Sequence, residues 1–380
     1  MINNQMKPRE LDTIRGLLHL RSTIFSGLWV VAVVCLLALK PASAQWSPEL
    51  KKVIEGAKKE GRLNLMWSQA TLGGSQGAEM AQAAMNKMFG TNIQIRFAPG
   101  PAMAQVGSQI AIEFSAGQKA VSDVFLGAAA QVEPLVKRDI FQSVDWSKLL
   151  PQRITDEMTE INDRAVRLGT GLSGVTYNSR LVPGGAVPKR LEDFLKPEWK
   201  GKIASTPYAA SFDVLAAEEF WGPKKTLDFV RRLSEQIAGL MRCGEAERIA
   251  TGEFIALVMD CTGQDAFVWQ EKGAPLDQLI PVDAAQKRYY YFTLPKNAAN
   301  PNAAKLYVAF MMTEEGQRLA WKTWKIDLHM FPESNLRRKV SELEKEGVKF
   351  FDASIDWWMK NPQINKTKDE MVKILTSGKR

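Results

Sequence analysis

The sequence predicts an α/β protein of two lobes, each a mostly parallel sheet flanked by helices, with a ligand cleft between them. Three observations predict this. Apolar periodicity switches repeatedly between the helical repeat and short buried runs, as expected of strands joined by crossover helices. The alternation comes in two sets, parted after Pro151 by a polar stretch and a glycine-rich, strand-like passage. Of 380 residues, 336 remain once an N-terminal leader is set aside, enough for two lobes with their own cores.

In the first set, residues 49–60 read as a helix closed by Gly61, 63–67 as a strand, 68–77 as a glycine and hydroxyl loop, and 78–89 as a helix. A strand at 93–97, a helix at 102–116 ended by Gly117, a strand at 121–126 and a helix at 128–137 follow. The passage 167–178 is extended and leads to the second set: strand 202–205, helices 210–220 and 224–236, strand 238–242, helix 245–250, strand 254–259 and helix 264–272. Residues 288–294 read as a returning strand before helices at 301–312 and 314–324, so the chain crosses between lobes at least twice. The expected division is a leader over 1–44, a first lobe over 45–170, a second over 171–286, a return to the first over 287–328, and a helical segment over 329–380 packing back on the second lobe.

The leader is an apolar run at 24–39 followed by Lys40, Pro41 and the small-residue step Ala42-Ser43-Ala44, the layout of a cleavable secretory signal. Lys7, Arg9, Arg15 and Arg21 outnumber Glu10 and Asp12 upstream, and Met6 is an alternative start. A run of sixteen residues falls short of the roughly 20 a spanning helix needs. Export with cleavage near Ala44 is expected, and no later stretch reads as a membrane span. The net charge of +8 falls to +5 without the leader and forms no basic stripe interleaved with aromatics, which argues against a nucleic-acid partner. Cys35 leaves with the leader. Cys243 and Cys261 remain, either bridged or as two buried thiols.

Specific segments then carry a resemblance. Leu191-Glu192-Asp193-Phe194 with Pro197-Glu198-Trp199-Lys200-Gly201-Lys202-Ile203 resembles a passage of bacterial extracellular solute-binding proteins of the ferric-binding branch. Ala57-Lys58-Lys59-Glu60-Gly61, Gly273-Ala274-Pro275, Leu294-Pro295-Lys296-Asn297-Ala298, Asn300-Pro301-Asn302-Ala303-Ala304-Lys305 and Glu315-Gly316-Gln317 fit the same family in order. The resemblance implies the type II periplasmic-binding-protein fold, a monomer that closes two lobes on a small molecule, and delivery to an ABC permease in the inner membrane. A sensor subunit or an exported enzyme on the same scaffold are the alternatives.

In an open α/β sheet, ligands collect where strand ends lead into helix N-termini. The expected ligand-binding residues are Trp67, Ser68, Gln69, Thr71, Gly74 and Ser75, with Gly127 and Ala128, in the first lobe. In the second they are Thr206, Tyr208, Ala210, Ser211, Thr262, Gly263 and Gln264. Backbone N–H groups and helix dipoles at such loops favour an anion without a charged side chain. Any single Thr71, Ser75 or Ser211 is better explained as a helix cap, so the shared site rests on the convergence of four such loops, and Trp67 is equally explained as core.

Ferric-binding members of the family hold iron with two adjacent tyrosines, a histidine and a carboxylate. By the resemblance the tyrosines fall on Thr262 and Gly263 and the carboxylate on Ala128, and no histidine lies near residues 68–75. The chain departs at every position, so no metal and no cofactor are expected, and the solute is a small organic molecule carrying an acidic group. A ferric or ferric-chelate receptor with other donors is the runner-up. Tyr289-Tyr290-Tyr291 sits in the returning strand, where alternate residues face opposite sides, and reads as packing. Gly169-Thr170-Gly171-Leu172-Ser173-Gly174 has dinucleotide-motif spacing but precedes an extended segment instead of a helix, and suits a hinge crossing better. Asp260 and Asp265 near a strand end are a carboxylate pair that an enzyme reading could use, and no catalytic residues are assigned.

Overall fold

The computed structural model of the protein describes residues 46–182 and 187–377, so the expected leader lies outside the described residues. Among these residues no helix is long and apolar enough to cross a membrane.

Helix α1 (Pro48–Glu60) shows how closely local chemistry sets an element. The Ser47 hydroxyl accepts from the Leu50 amide, Pro48 and Glu49 fill the first turn, and Gly61 ends the helix at φ 64°, left-handed backbone that favours glycine. Its apolar stripe of Leu50, Val53, Ile54 and Ala57 is buried. Next come β1 (Arg62–Trp67), α2 (Gly74–Phe89), β2 (Gln94–Pro99), α3 (Met103–Ser115), β3 (Phe125–Ala128) and α4 (Ala129–Lys137). Strands β1 and β2 pair in parallel, and a parallel bridge from Leu65 to Val124 brings in the approach to β3.

After a short helix α5 (Trp146–Leu149) and β4 (Thr159–Glu160), the chain runs through β5 (Ala165–Ser173), passes Gly174 and enters the second sheet as β6 (Val175–Asn178). That sheet is completed by β7 (Ile203–Ser205), β8 (Gly239–Leu240), β9 (Ala256–Val258) and β10 (Leu276–Leu279), in the order β10-β6-β9-β7-β8. Its helices are α6 (Phe212–Leu215), α7 (Gly222–Gln236), α8 (Glu247–Ala250) and α9 (Gln264–Glu271). Strand β11 (Gln286–Thr293) returns beside β5, followed by α10 (Pro301–Met311), α11 (Glu314–Trp324), α12 (Asn335–Lys345), β12 (Phe351–Ala353), α13 (Ile355–Lys360) and α14 (Ile364–Thr376).

The α/β class agrees with the sequence reading, but of the three sheets only the two-stranded β1-β2 is wholly parallel, and the two five-stranded sheets are mixed rather than mostly parallel. β11 lies antiparallel to β3 and β5, and β6 lies antiparallel to β9 and β10. The reason is topological: a strand that carries the chain back between sheets must run against its outgoing neighbour. The glycines of the dinucleotide-like motif sit at this crossing without positive φ. A Cβ would come within 2.0 Å of Ile326 Cγ2 at Gly169, 2.2 Å of Thr262 Cγ2 at Gly171 and 2.1 Å of the Leu279 carbonyl oxygen at Gly174. Close approach of neighbouring chain explains all three.

Two further expectations are corrected. The helix expected at 210–220 is cut to α6. Ser211 takes φ 64° and its hydroxyl donates to the Ser173 hydroxyl and the Asp260 carbonyl, so tertiary bonds hold the chain out of the helix at its start. The C-terminal segment packs on both lobes, not the second alone. α12 covers the crossing, with Leu336 and Val340 against Leu172, Ile280 and Ala285. β12 pairs with β11, α13 packs on α4, and α14 lies along α7.

Cys243 and Cys261 are joined by a disulfide across 18 residues. A loop of that length removes roughly 3 kcal/mol of unfolded-chain entropy. Urea unfolding of the Cys243→Ala/Cys261→Ala variant is expected to show a loss of about 3 kcal/mol, and no further loss when reductant is added.

Candidate functional site

Elements of both lobes meet at a cleft of about 440 Å³. One wall comes from the first lobe: Ala70 and Thr71 after β1, Met103 at the start of α3, and Thr323 and Trp324 at the end of α11. The other comes from the second: Cys243 and Gly244, the run Asp260 to Asp265, and Val268, Trp269 and Lys272. Tyr290 of β11 forms part of the lining.

Four of the expected residues line this cleft: Thr71, Thr262, Gly263 and Gln264. The others are placed as follows. Trp67 is core, 2 % exposed, with its ring 5.7 Å from that of Phe97 and 6.3 Å from that of Tyr307. The Ser68 hydroxyl is 3.0 Å from that of Thr71, and Gln69 Nε2 donates to Ser75 Oγ at 2.9 Å across the first turn of α2, where Gly74 lies. Gly127 and Ala128 are sheet residues opposite Tyr291 and Tyr290. Thr206 Oγ1 accepts from the Ala210 amide at 2.8 Å, a local turn. Ser211 is buried as described above. Tyr208 supports the rim: its hydroxyl accepts from the Cys243 amide at 2.8 Å, and burial raises its pKa.

The second-lobe wall is tightly tied. The disulfide and a bond from the Gly244 amide to Asp265 Oδ2 at 2.7 Å clamp the loop at 243–244 to the start of α9. Thr262 lays its methyl on Gly171 and donates its hydroxyl to Gln264 Oε1, with the Tyr290 hydroxyl 3.4 Å away. Gly263 precedes α9 at φ 72°, and a Cβ there would meet Gln278 Nε2 at 1.6 Å. Gln278 in turn donates to the Leu172 carbonyl and accepts from Lys339.

Charge in the cleft differs from the uncharged loops read from sequence. Asp260 and Asp265 line it together with Lys272. Asp260 accepts from the Gly174 amide at 3.0 Å and Thr176 Oγ1 at 2.8 Å. Burial nevertheless pushes its carboxyl up to about 6 from an ordinary 3.8. Burial also raises Asp265 and lowers Lys339, which lies behind Asp260. Because the folded value of Asp260 exceeds the unfolded one, its protonated form stabilises the fold fully below pH 3.8, and that contribution is lost as pH rises through about 6. The Asp260→Asn variant keeps the Gly174 bond, reverses the Thr176 bond so that the amide nitrogen donates to the hydroxyl, and carries no charge. Chemical denaturation from pH 4 to 7.5 is expected to show it gaining up to about 3 kcal/mol on the wild type across that span.

Tyr290, Trp269 and Trp324 are among the lining residues that sequence reasoning missed, as are Met103, Val268 and Lys272. The alternation argument separates Tyr290 from its neighbours: Tyr289 donates to Asp352 and Tyr291 to Glu160, while Tyr290 turns to the cleft, its ring 4.5 Å from that of Trp324. His329 lies away from the lining, bonded to Thr170, and burial pushes its pKa down to about 3. Among the described residues no three His, Cys, Asp or Glu groups converge as a metal site.

Comparison with known proteins agrees with this architecture. The bacterial extracellular solute-binding protein family matches residues 119–361, and the chain belongs to that family. A Haemophilus influenzae protein is 30 % identical over 161 residues, 40 % of this chain and 46 % of that one. The Fe(3+)-binding periplasmic protein of Serratia marcescens is 27 % identical over 34 % of this chain and 38 % of its own length. The chain thus spans less than half the length of these two relatives. Among solved structures, the periplasmic binding protein AfuA of Actinobacillus pleuropneumoniae, with fructose-6-phosphate bound, superposes with a TM-score of 0.64 at 20 % identity. That match covers 82 % of this chain and 98 % of AfuA.

Proposed function

We propose that this chain is the periplasmic substrate-binding component of an ABC-type importer: a monomer that captures a small organic solute with an acidic group by closing its lobes, then delivers it to an inner-membrane permease. The carrying observation is the cleft itself, whose walls come from both lobes, so a bound solute stabilises the closed form over the open one. The family match and the names of the relatives support the class. Ferric iron is a hard cation that wants oxygen donors, yet the family's tyrosine positions hold Thr262 and Gly263, and Gln278 leaves Gly263 no room for a side chain. Tyr290 and Asp265 are oxygen donors in the same cleft and keep a ferric-chelate receptor as the second reading. Calorimetric titration with a panel of organic acids beside ferric citrate separates the two. Micromolar or tighter binding of an organic acid, with a smaller scattering radius on saturation, is the expected result. Tight ferric binding with silence toward every organic acid would overturn it.

A further inference from the structure

Beyond Gly263 and Gln264 at its start, α9 and its C-terminal cap line the cleft with Asp265, Val268, Trp269 and Lys272, spaced i, i+3, i+4 and i+7, which places these four on one helix face. That face is chemically graded. It begins with a carboxylate, continues with an aliphatic and an indole side chain, and ends with an ammonium group. The seven-residue interval corresponds to about 10 Å along the axis.

Neither charged end is matched within the protein. Asp265 is bonded only through Oδ2, to a backbone amide. Among the described residues its side chain and that of Lys272 join no ion pair, although the neighbouring Arg248 and Lys325 do. The Lys272 Nζ rests 4.7 Å from the Trp269 ring centre. Asp265 is half-buried and Lys272 exposed, and both line the same cavity, so a solute can meet both charges at once. Asp265 also stands in the first turn of α9, where its charge offsets the anion-attracting dipole. The acidic group of the solute is therefore better served at Lys272 than at Gly263.

We propose that the solute is an extended zwitterion, its ammonium group against Asp265, its acidic group against Lys272, and an apolar stretch between them along Val268 and Trp269. This rests on reading the cleft as the solute site. The chemistry recognised is that of an ω-amino acid or an aminoalkyl phosphonate, as opposed to a plain organic acid.

The test uses 4-aminobutyrate, 6-aminohexanoate and 8-aminooctanoate, each against the alkanoate and the alkylamine of equal length, by calorimetry and by tryptophan fluorescence. One chain length is expected to bind at least about tenfold tighter than both of its singly charged counterparts. Asp265→Asn, which keeps a carbonyl oxygen for the Gly244 amide, should bring the preference over the alkanoate to about one. Lys272→Gln should do the same for the preference over the alkylamine. An alkanoate that binds as tightly as its amino acid, or either variant with its ratio unchanged, overturns the zwitterion. If a plain acid binds and contracts the scattering profile, only this inference fails. Silence toward every compound overturns the solute-site reading with it.

Discussion

Replacing Asp213 by alanine is expected to cost about 3–5 kcal/mol at pH 7, the largest single-site loss outside the cleft. Asp213 on α6 is fully buried. Its Oδ1 accepts from Arg288 Nη1 at 2.8 Å and from the Val214 amide at 2.9 Å, and its Oδ2 from Lys368 Nζ at 3.2 Å. One carboxylate thus ties the second lobe to the returning strand β11 and to the last helix α14. Burial alone would raise its pKa, but Arg288 and then Lys368 outweigh burial and hold it well below the ordinary 3.8. For a group lowered on folding, the stabilisation is present above the unfolded value and fades as pH falls below it. The gap between wild type and Asp213→Ala, measured by urea unfolding, should be full at pH 7 and shrink toward pH 3. Hydrogen exchange should show α14 loosening first in the variant, because it loses the bond from Lys368 to a fully buried carboxylate on α6. A gap independent of pH would mean that packing, not the ion cluster, holds α14 down.

Asp213 also marks the boundary of what the sequence could reveal. Elements governed by their own residues are legible, and α1 is the plainest case: cap, first-turn Pro and Glu, apolar stripe and terminal glycine all lie within fifteen residues. Elements governed by distant partners are not. Strand β10 exists because β6 offers an edge about a hundred residues earlier, and β12 because β11 does, and neither three- or four-residue run has periodicity of its own. The same limit applies to the cleft. Thr262, Gly263 and Gln264 were found because a strand end before a helix can be read locally. Trp324 and Tyr290 entered only by folding, since α11 and β11 reach the cleft from elsewhere in the chain. Trp67, at a strand end of the expected kind, points instead into the core beside Phe97.

Gly263→Ala should damage fold and binding together, and for a definable reason. The backbone at φ 72° costs a residue with a Cβ about 1 kcal/mol. The added carbon would also sit 1.6 Å from Gln278 Nε2 and 2.2 Å from its Cδ, so the whole amide must move. Moving it breaks the 2.6 Å bond to the Leu172 carbonyl at the lobe crossing and the 3.0 Å contact with Lys339. A buried carbonyl without its donor adds roughly 1–3 kcal/mol, and the two costs together predict a loss of about 2–4 kcal/mol in urea unfolding. Pairing the change with Gln278→Ala separates the two causes. The double variant has room for the new methyl, so the penalty of adding it in that background should fall to the backbone cost of about 1 kcal/mol. Solute affinity should drop at least about tenfold in Gly263→Ala, since this residue caps the start of α9, which carries part of the second-lobe wall of the cleft. An alanine variant as stable and as avid as the wild type would show that residue 263 has space after all, and the argument against a tyrosine pair at 262–263 would fall with it.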